Sequence, residues 1–154
     1  MKAIGWMLVG MVLMGGIVWF TMPSLMLLKH KSSLTYDETV NKLNEVVAMK
    51  PDWKVLVVND YQKATEAFGS IERTGSINVC NPRYASKILA NTKNCGVTAM
   101  MPLAVGVYED REGRVYVSQM NFKLIGMMFG GTIAEVMGMA GKDVGEIVKS
   151  VAAE

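Results

Sequence analysis

The chain has 154 residues with a formal net charge of +2, enough for one ordinary domain plus a flanking segment and too short for two. So small a charge, with no Lys/Arg run to follow a phosphate backbone, excludes a nucleic-acid partner. Two cysteines without a CxxC spacing exclude a framework of bridges and a zinc-type site.

From Ala3 to Leu28 no charged residue occurs, and Met1, Met7, Met11, Met14, Met22 and Met26 fall in this front segment. Roughly 20 apolar residues suffice to span a bilayer. The run therefore predicts a transmembrane anchor over 1–28, with Ile4 to Met22 as the span proper and Pro23 as its break. Trp19 and Phe20 suit the boundary, and Lys29-His30-Lys31 suits lipid headgroups on the wet side. A cleaved signal peptide is the rival reading, but the run exceeds a typical ~7–15-residue core and no A-x-A-like site comes after it. The expected localisation is single-pass in the cell (inner) membrane, with the domain on the extracytoplasmic, periplasmic side. The charge bias that sets this orientation is nearly balanced between Lys2 and Lys29/Lys31.

Residues 29–35 read as a linker, and 36–154 as one α+β domain. Thr35-Tyr36-Asp37-Glu38 is a capping box, and Val40, Leu43, Val46 and Val47 continue it as a helix that stops before Pro51. Trp53 to Asn59 reads as a buried strand, Tyr61 to Phe68 as a short helix and Ser76 to Cys80 as a second strand. Asn81-Pro82 is a helix start, with Tyr84, Ala85, Ile88 and Leu89 at helical spacing. Val97 to Glu109 and Arg114 to Asn121 read as antiparallel partners joined by the turn at 110–113, with Val105/Val107 and Val115/Val117 facing a core. Leu124 to Ala140 reads as a glycine-rich loop and then a helix starting at a second capping box, Thr132 to Glu135. A re-entrant or lipid-touching segment is the alternative. Asp143 caps a last helix bearing Val144, Ile147, Val148 and Val151. These elements predict helices packed on a largely antiparallel sheet.

The stretches Val79-Cys80-Asn81-Pro82-Arg83-Tyr84-Ala85 and Met101-Pro102-Leu103-Ala104-Val105-Gly106-Val107-Tyr108-Glu109 resemble the DUF302 family, a domain of unknown function. The resemblance covers roughly Ser33 to Met120. The tail from Phe129 to Gly138 resembles that of membrane-anchored members. The resemblance implies a TBP-like α+β fold, with helices on one face of a curved antiparallel sheet, often dimeric. Many members carry a cysteine directly after the proline matching Pro102. Here that position is Leu103, which puts in doubt any metal or redox role shared with Cys80.

Nucleophilic catalysis needs a base beside its nucleophile, and the one histidine is His30, beside the membrane in the expected arrangement. No catalytic constellation is predicted. Cys80, just before a helix N-terminus, reads as a reactive thiol, as half of a disulfide with Cys95, or as a small buried residue; nothing supplies a third partner. Thioethers of the Met-rich segments could ligate Cu or haem iron, but no histidine joins them, and no cofactor is predicted. The segment Gly126-Met127-Met128-Phe129-Gly130-Gly131 combines bulky apolar residues with backbone freedom. It suits a docking surface or a gate over an apolar pocket, or a loop tucked under the sheet. The leading expectation is a non-enzymatic, membrane-anchored binding or interaction module, a homodimer or a membrane-complex subunit, using Met127, Met128, Phe129, Gly130 and Gly131. The second is a redox or metal-handling protein using Cys80 and Cys95 or the Met cluster.

Overall fold

The structure is a computed structural model that describes residues 2–153, with the side chains of the first helix described from Gly10 onward. Its helices are α1 (Lys2–Met26), α2 (Tyr36–Met49), α3 (Tyr61–Thr65), α4 (Pro82–Leu89), α5 (Phe122–Phe129) and α6 (Gly131–Lys149). Its strands are β1 (Leu27–Lys31), β2 (Lys54–Asp60), β3 (Thr74–Cys80), β4 (Leu103–Glu109) and β5 (Val115–Met120). The strands form one antiparallel sheet in the order β1-β5-β4-β3-β2.

The period-2 alternation of the strands decides which face is buried. Register pairs Ile77 with Val105, Val79 with Leu103, and Val107 with Val117, so these side chains share one face. That face meets Leu43 and Val47 of α2, Ile88 of α4, and Val136, Met137, Ala140, Val144, Ile147 and Val148 of α6 in one core. The other face carries Asn78, Tyr108, Tyr116 and Ser118, none of them fully buried. Tyr108 and Tyr116 stack there at 5.4 Å.

The local signals behave as their chemistry dictates. At the start of α2, Thr35 Oγ1 accepts from the Glu38 amide, and Glu38 Oε2 accepts from the Thr35 amide at 3.0 Å. Thr35→Ala removes one half of this exchange. It is expected to lower the unfolding free energy by about 1 kcal/mol, measured by urea titration. Asn81 Oδ1 accepts from the Tyr84 amide, with Pro82 at the first helical position of α4. The β4–β5 turn is tied by Asp110, whose Oδ1 accepts from the amides of Glu112 and Arg114.

Several expectations need correction. Among the described residues no helix is long and apolar enough to cross a membrane. This overturns the transmembrane anchor at 1–28, and with it the single-pass placement in the inner membrane with a periplasmic domain. The side chains of residues 4–9, the front of the expected span, lie outside the described residues. The helix also does not break at Pro23 but runs through it to Met26. It passes directly into an edge strand, where an interfacial stub and linker were expected. Leu27–Lys31 pairs with Met120–Tyr116 of β5, because backbone groups beside a sheet are satisfied better by a ladder than by solvent. The last carbonyls of α1 are answered from the sheet: Asn121 donates its amide to Met26 O at 2.7 Å and its Nδ2 to Leu25 O at 3.1 Å.

The expected strand from Val97 begins only at Leu103, since Thr92–Met100 coil as 3₁₀ turns after the Asn91 cap. The expected glycine-rich loop is a helix, α5, whose Asn121 side chain caps the Leu124 amide. Thr132 to Glu135 forms no capping box: α6 starts at Gly131 without a side-chain cap. It then runs unbroken through Asp143, so the separate last helix does not exist.

Candidate functional site

The two family-like segments are distant in sequence and meet in space. Cys80, Asn81 and Tyr84 come from the β3–α4 junction, and Met101, Pro102 and Leu103 from the entry to β4. Together with Trp53, Ile88, Val136, Met137 and Ala140 they line one hollow between the sheet and helices α4 and α6. The junction forms because β3 must end where Asn81 caps α4, which aims the helix back over the sheet.

The polar rim of this hollow is organised by Asp143. Trp53 Nε1 donates to Asp143 Oδ2 at 3.0 Å, and the Tyr84 hydroxyl donates to the same oxygen at 3.0 Å. The two rings meet edge to face, 6.1 Å between centroids. Lys50 Nζ lies 3.7 Å from Asp143 Oδ1 and 2.7 Å from Glu146 Oε2. The Glu146 hydrogen bond is the main reason the Lys50 ammonium titrates above its usual range, and Lys50 in turn holds Glu146 below its own. Burial, then the hydrogen bond to Asp143, pushes the Tyr84 phenol up. Sequence reasoning missed this network, because Asp143 mimics a helix cap and Trp53 reads as an ordinary strand residue. The one signal for it was the single tryptophan of the domain, whose indole N–H requires an acceptor once buried.

The hollow itself holds about 30 Å³. That is room for one water or a methyl-sized group, far below the several hundred Å³ of small-molecule sites. Cys80 lines it half-buried, and burial pushes its thiol pKa up. The strand end therefore leaves it a protonated thiol at neutral pH, where the helix-terminus argument had suggested activation. Cys95 is exposed on the 3₁₀ segment, and both cysteines are free. Met101 and Met137 line the hollow, whereas Met127 and Met128 do not. Among the described residues no three His, Cys, Asp or Glu side chains converge so as to hold a metal ion.

The remaining candidates sit elsewhere. Met127, Met128 and Phe129 form the end of α5 and are 65%, 70% and 54% exposed. Gly130 and Gly131, at φ 71° and 52°, turn the chain directly into α6. No gate over the hollow is formed. The buried side of α5 is fixed by Phe122, Ile125 and Gly126. At Gly126 a Cβ would lie 2.5 Å from Met137 Cβ, so only glycine lets α5 close on α6. The three exposed side chains thus stand on a rigid helical hairpin.

Comparisons with known proteins bear on the fold. A search of curated proteins finds no match. The crystal structure of an uncharacterized conserved DUF302 protein from Bacillus stearothermophilus is similar, with a TM-score of 0.72 and 20% sequence identity. The match covers 83% of this chain and 99% of that one. Residues 28–153, from the second residue of β1 to the end of the described chain, match the family described as "Domain of unknown function DUF302". The chain therefore belongs to the DUF302 family.

Proposed function

We propose that this protein is a non-enzymatic interaction module that docks a protein partner on the end of α5. The observation that carries the reading is the exposure of three consecutive bulky apolar residues, Met127, Met128 and Phe129. Successive helical residues point about 100° apart, so no single packing contact within the fold could cover all three. Contiguous apolar surface of this kind marks interaction sites, and methionine adapts its shape to a partner. The family-motif hollow gives little support to a catalytic or small-molecule reading, since its volume is that of a packing defect and its thiol is protonated.

Phe129→Ser tests this. Because Phe129 is exposed, the substitution is expected to change stability by under about 0.5 kcal/mol. It is expected to remove the partner recovered with the tagged full chain from its native cells. Equal recovery by wild type and variant would reject α5 as the docking surface.

A further inference from the structure

Gln119 stands where the strand pattern calls for an apolar side chain. It follows Val115 and Val117 on the core face of β5, is 5% exposed, and its Oε1 has no hydrogen-bond partner among the described residues. A buried carbonyl left unsatisfied costs free energy and calls for a partner. Gln119 lines a cleft of about 570 Å³ between the β1–β5 end of the sheet, the start of α5 and the middle of α6. That volume lies within the range of small-molecule sites, unlike the hollow beside Cys80. Glycine keeps the cleft open: a Cβ at Gly138, which lines it, would meet nothing within 4 Å.

The start of α5 supplies a positive wall. Asn121 Oδ1 accepts from the Leu124 amide and Asn121 O from the Ile125 amide, which leaves the Phe122 and Lys123 amides as orphan donors of the helix. Both residues line the cleft. At Gly141, across from them on α6, a Cβ would lie 3.2 Å from Lys123 N, and its lack leaves that amide uncovered. Lys123 and Lys142 add exposed ammonium groups to the cleft. The carboxylate of Glu135, also on the cleft, is held by Lys87 at 2.7 Å. Leu28, Met120 and Met139 make the remaining wall apolar. We propose that this cleft binds a small organic carboxylate that carries a hydroxyl group and an apolar body. The α5 amides and the two lysines take the carboxylate, as helix N-termini take anions. The hydroxyl donates to Gln119 Oε1, and the apolar body lies on Leu28, Met120 and Met139. A single negative charge suits the site better than a phosphate dianion, because Glu135 stands on the same cleft. The site is at the opposite end of α5 from Met127, Met128 and Phe129 and does not rest on that docking surface.

Mandelate has all three parts and is the probe for a titration of the nitrogen-labelled full chain followed by amide NMR. Saturable shifts of the Lys123 amide and the Gln119 side-chain amide are expected, with a Kd in the millimolar range for so small a ligand. Phenylacetate, which lacks the hydroxyl, is expected to bind about fivefold more weakly than mandelate. Inorganic phosphate, which lacks the apolar body, is also expected to bind more weakly. Gln119→Met is expected to remove the preference for mandelate over phenylacetate. It also leaves no buried amide to satisfy, so the unliganded variant is expected to unfold at the same urea concentration as wild type or a higher one. Gly138→Leu fills the cleft at a helical position that favours leucine, and it is expected to abolish binding without loss of stability. Phe129→Ser is expected to leave mandelate binding unchanged. The proposal is overturned if tens of millimolar mandelate give no saturable shift, or if the shifts are confined to α1 or the end of α5. A Gln119→Met variant that still prefers mandelate overturns it too. A destabilised Gln119→Met would show that the amide already has a partner in the free protein. Phosphate binding more tightly than mandelate would assign the cleft to phosphate esters. Either of these last results also overturns the proposal.

Discussion

Trp53→Ala is expected to lower the unfolding free energy by about 3–5 kcal/mol, the range for removing a buried aromatic side chain. Trp53 is 5% exposed and touches three parts of the domain at once. Its ring lies edge to face on Tyr84 of α4, its Nε1 donates to Asp143 of α6, and its backbone amide donates to Lys50 O at the end of α2. Removing the ring opens the hollow beside Cys80 and Met101 and leaves Asp143 with the Tyr84 hydroxyl and Lys50 alone. Trp53→Phe separates the contributions. It keeps most of the apolar contact and loses the charged hydrogen bond, for an expected loss of about 1.5–3 kcal/mol. Urea titration monitored by far-ultraviolet circular dichroism measures both. A loss below about 1 kcal/mol for Trp53→Ala would show that the indole does not tie α4 to α6.

The range of the forces involved explains which elements were legible in the sequence and which were hidden. The Thr35–Glu38 capping box, the Asn81-Pro82 helix start and the turn at 110–113 are written in residues at most four positions apart. The chemistry that satisfies an orphan amide there is local, so the pattern alone suffices. The β1 strand was illegible because its partners, Tyr116 to Met120, lie some 90 positions onward. Read alone, Leu27 and Leu28 extend an apolar run, and only the ladder distinguishes strand from helix. The segment 122–149 misled for a related reason. Glycines suggest loops when nothing is known of their neighbours, but Gly126 is there because Met137 occupies the space a side chain would need. Thr132 and Asp143 imitate caps; the α5–α6 packing overrides the first, and Trp53 with Tyr84 takes the second.

The candidate site was legible in the same proportion. Cys80, Asn81, Tyr84, Met101 and Pro102 were visible as motif, and the structure brings them to one hollow. Trp53, Asp143 and Lys50, which hold that hollow's rim, come from elements the motif does not include. Met127 to Phe129 were visible as an apolar segment, but their helical presentation was not. A helix end fixes the three side chains in different directions on a rigid support, where a loop would let them fold back.

Gly75→Ala is expected to cost about 2–3 kcal/mol, at the upper end of the overpacking range. Gly75 lies on β3 between Asp60 of β2 and Val107 of β4. A Cβ built there would meet Asn59 O and sit 2.5 Å from the Tyr36 hydroxyl. The tyrosine can yield, but the carbonyl belongs to the backbone of the neighbouring strand, and moving it strains the β2–β3 ladder. The double variant Tyr36→Phe/Gly75→Ala sorts the two contacts. If the hydroxyl were the main obstacle, removing it would restore most of the loss. Since the carbonyl remains, the expected recovery is partial, under about half of a 2–3 kcal/mol loss. Tyr36→Phe alone gives the baseline, and it must be subtracted because Arg73 stacks over the Tyr36 ring at 4.4 Å. Full recovery in the double variant would mean that β2 is held more loosely than its pairing implies.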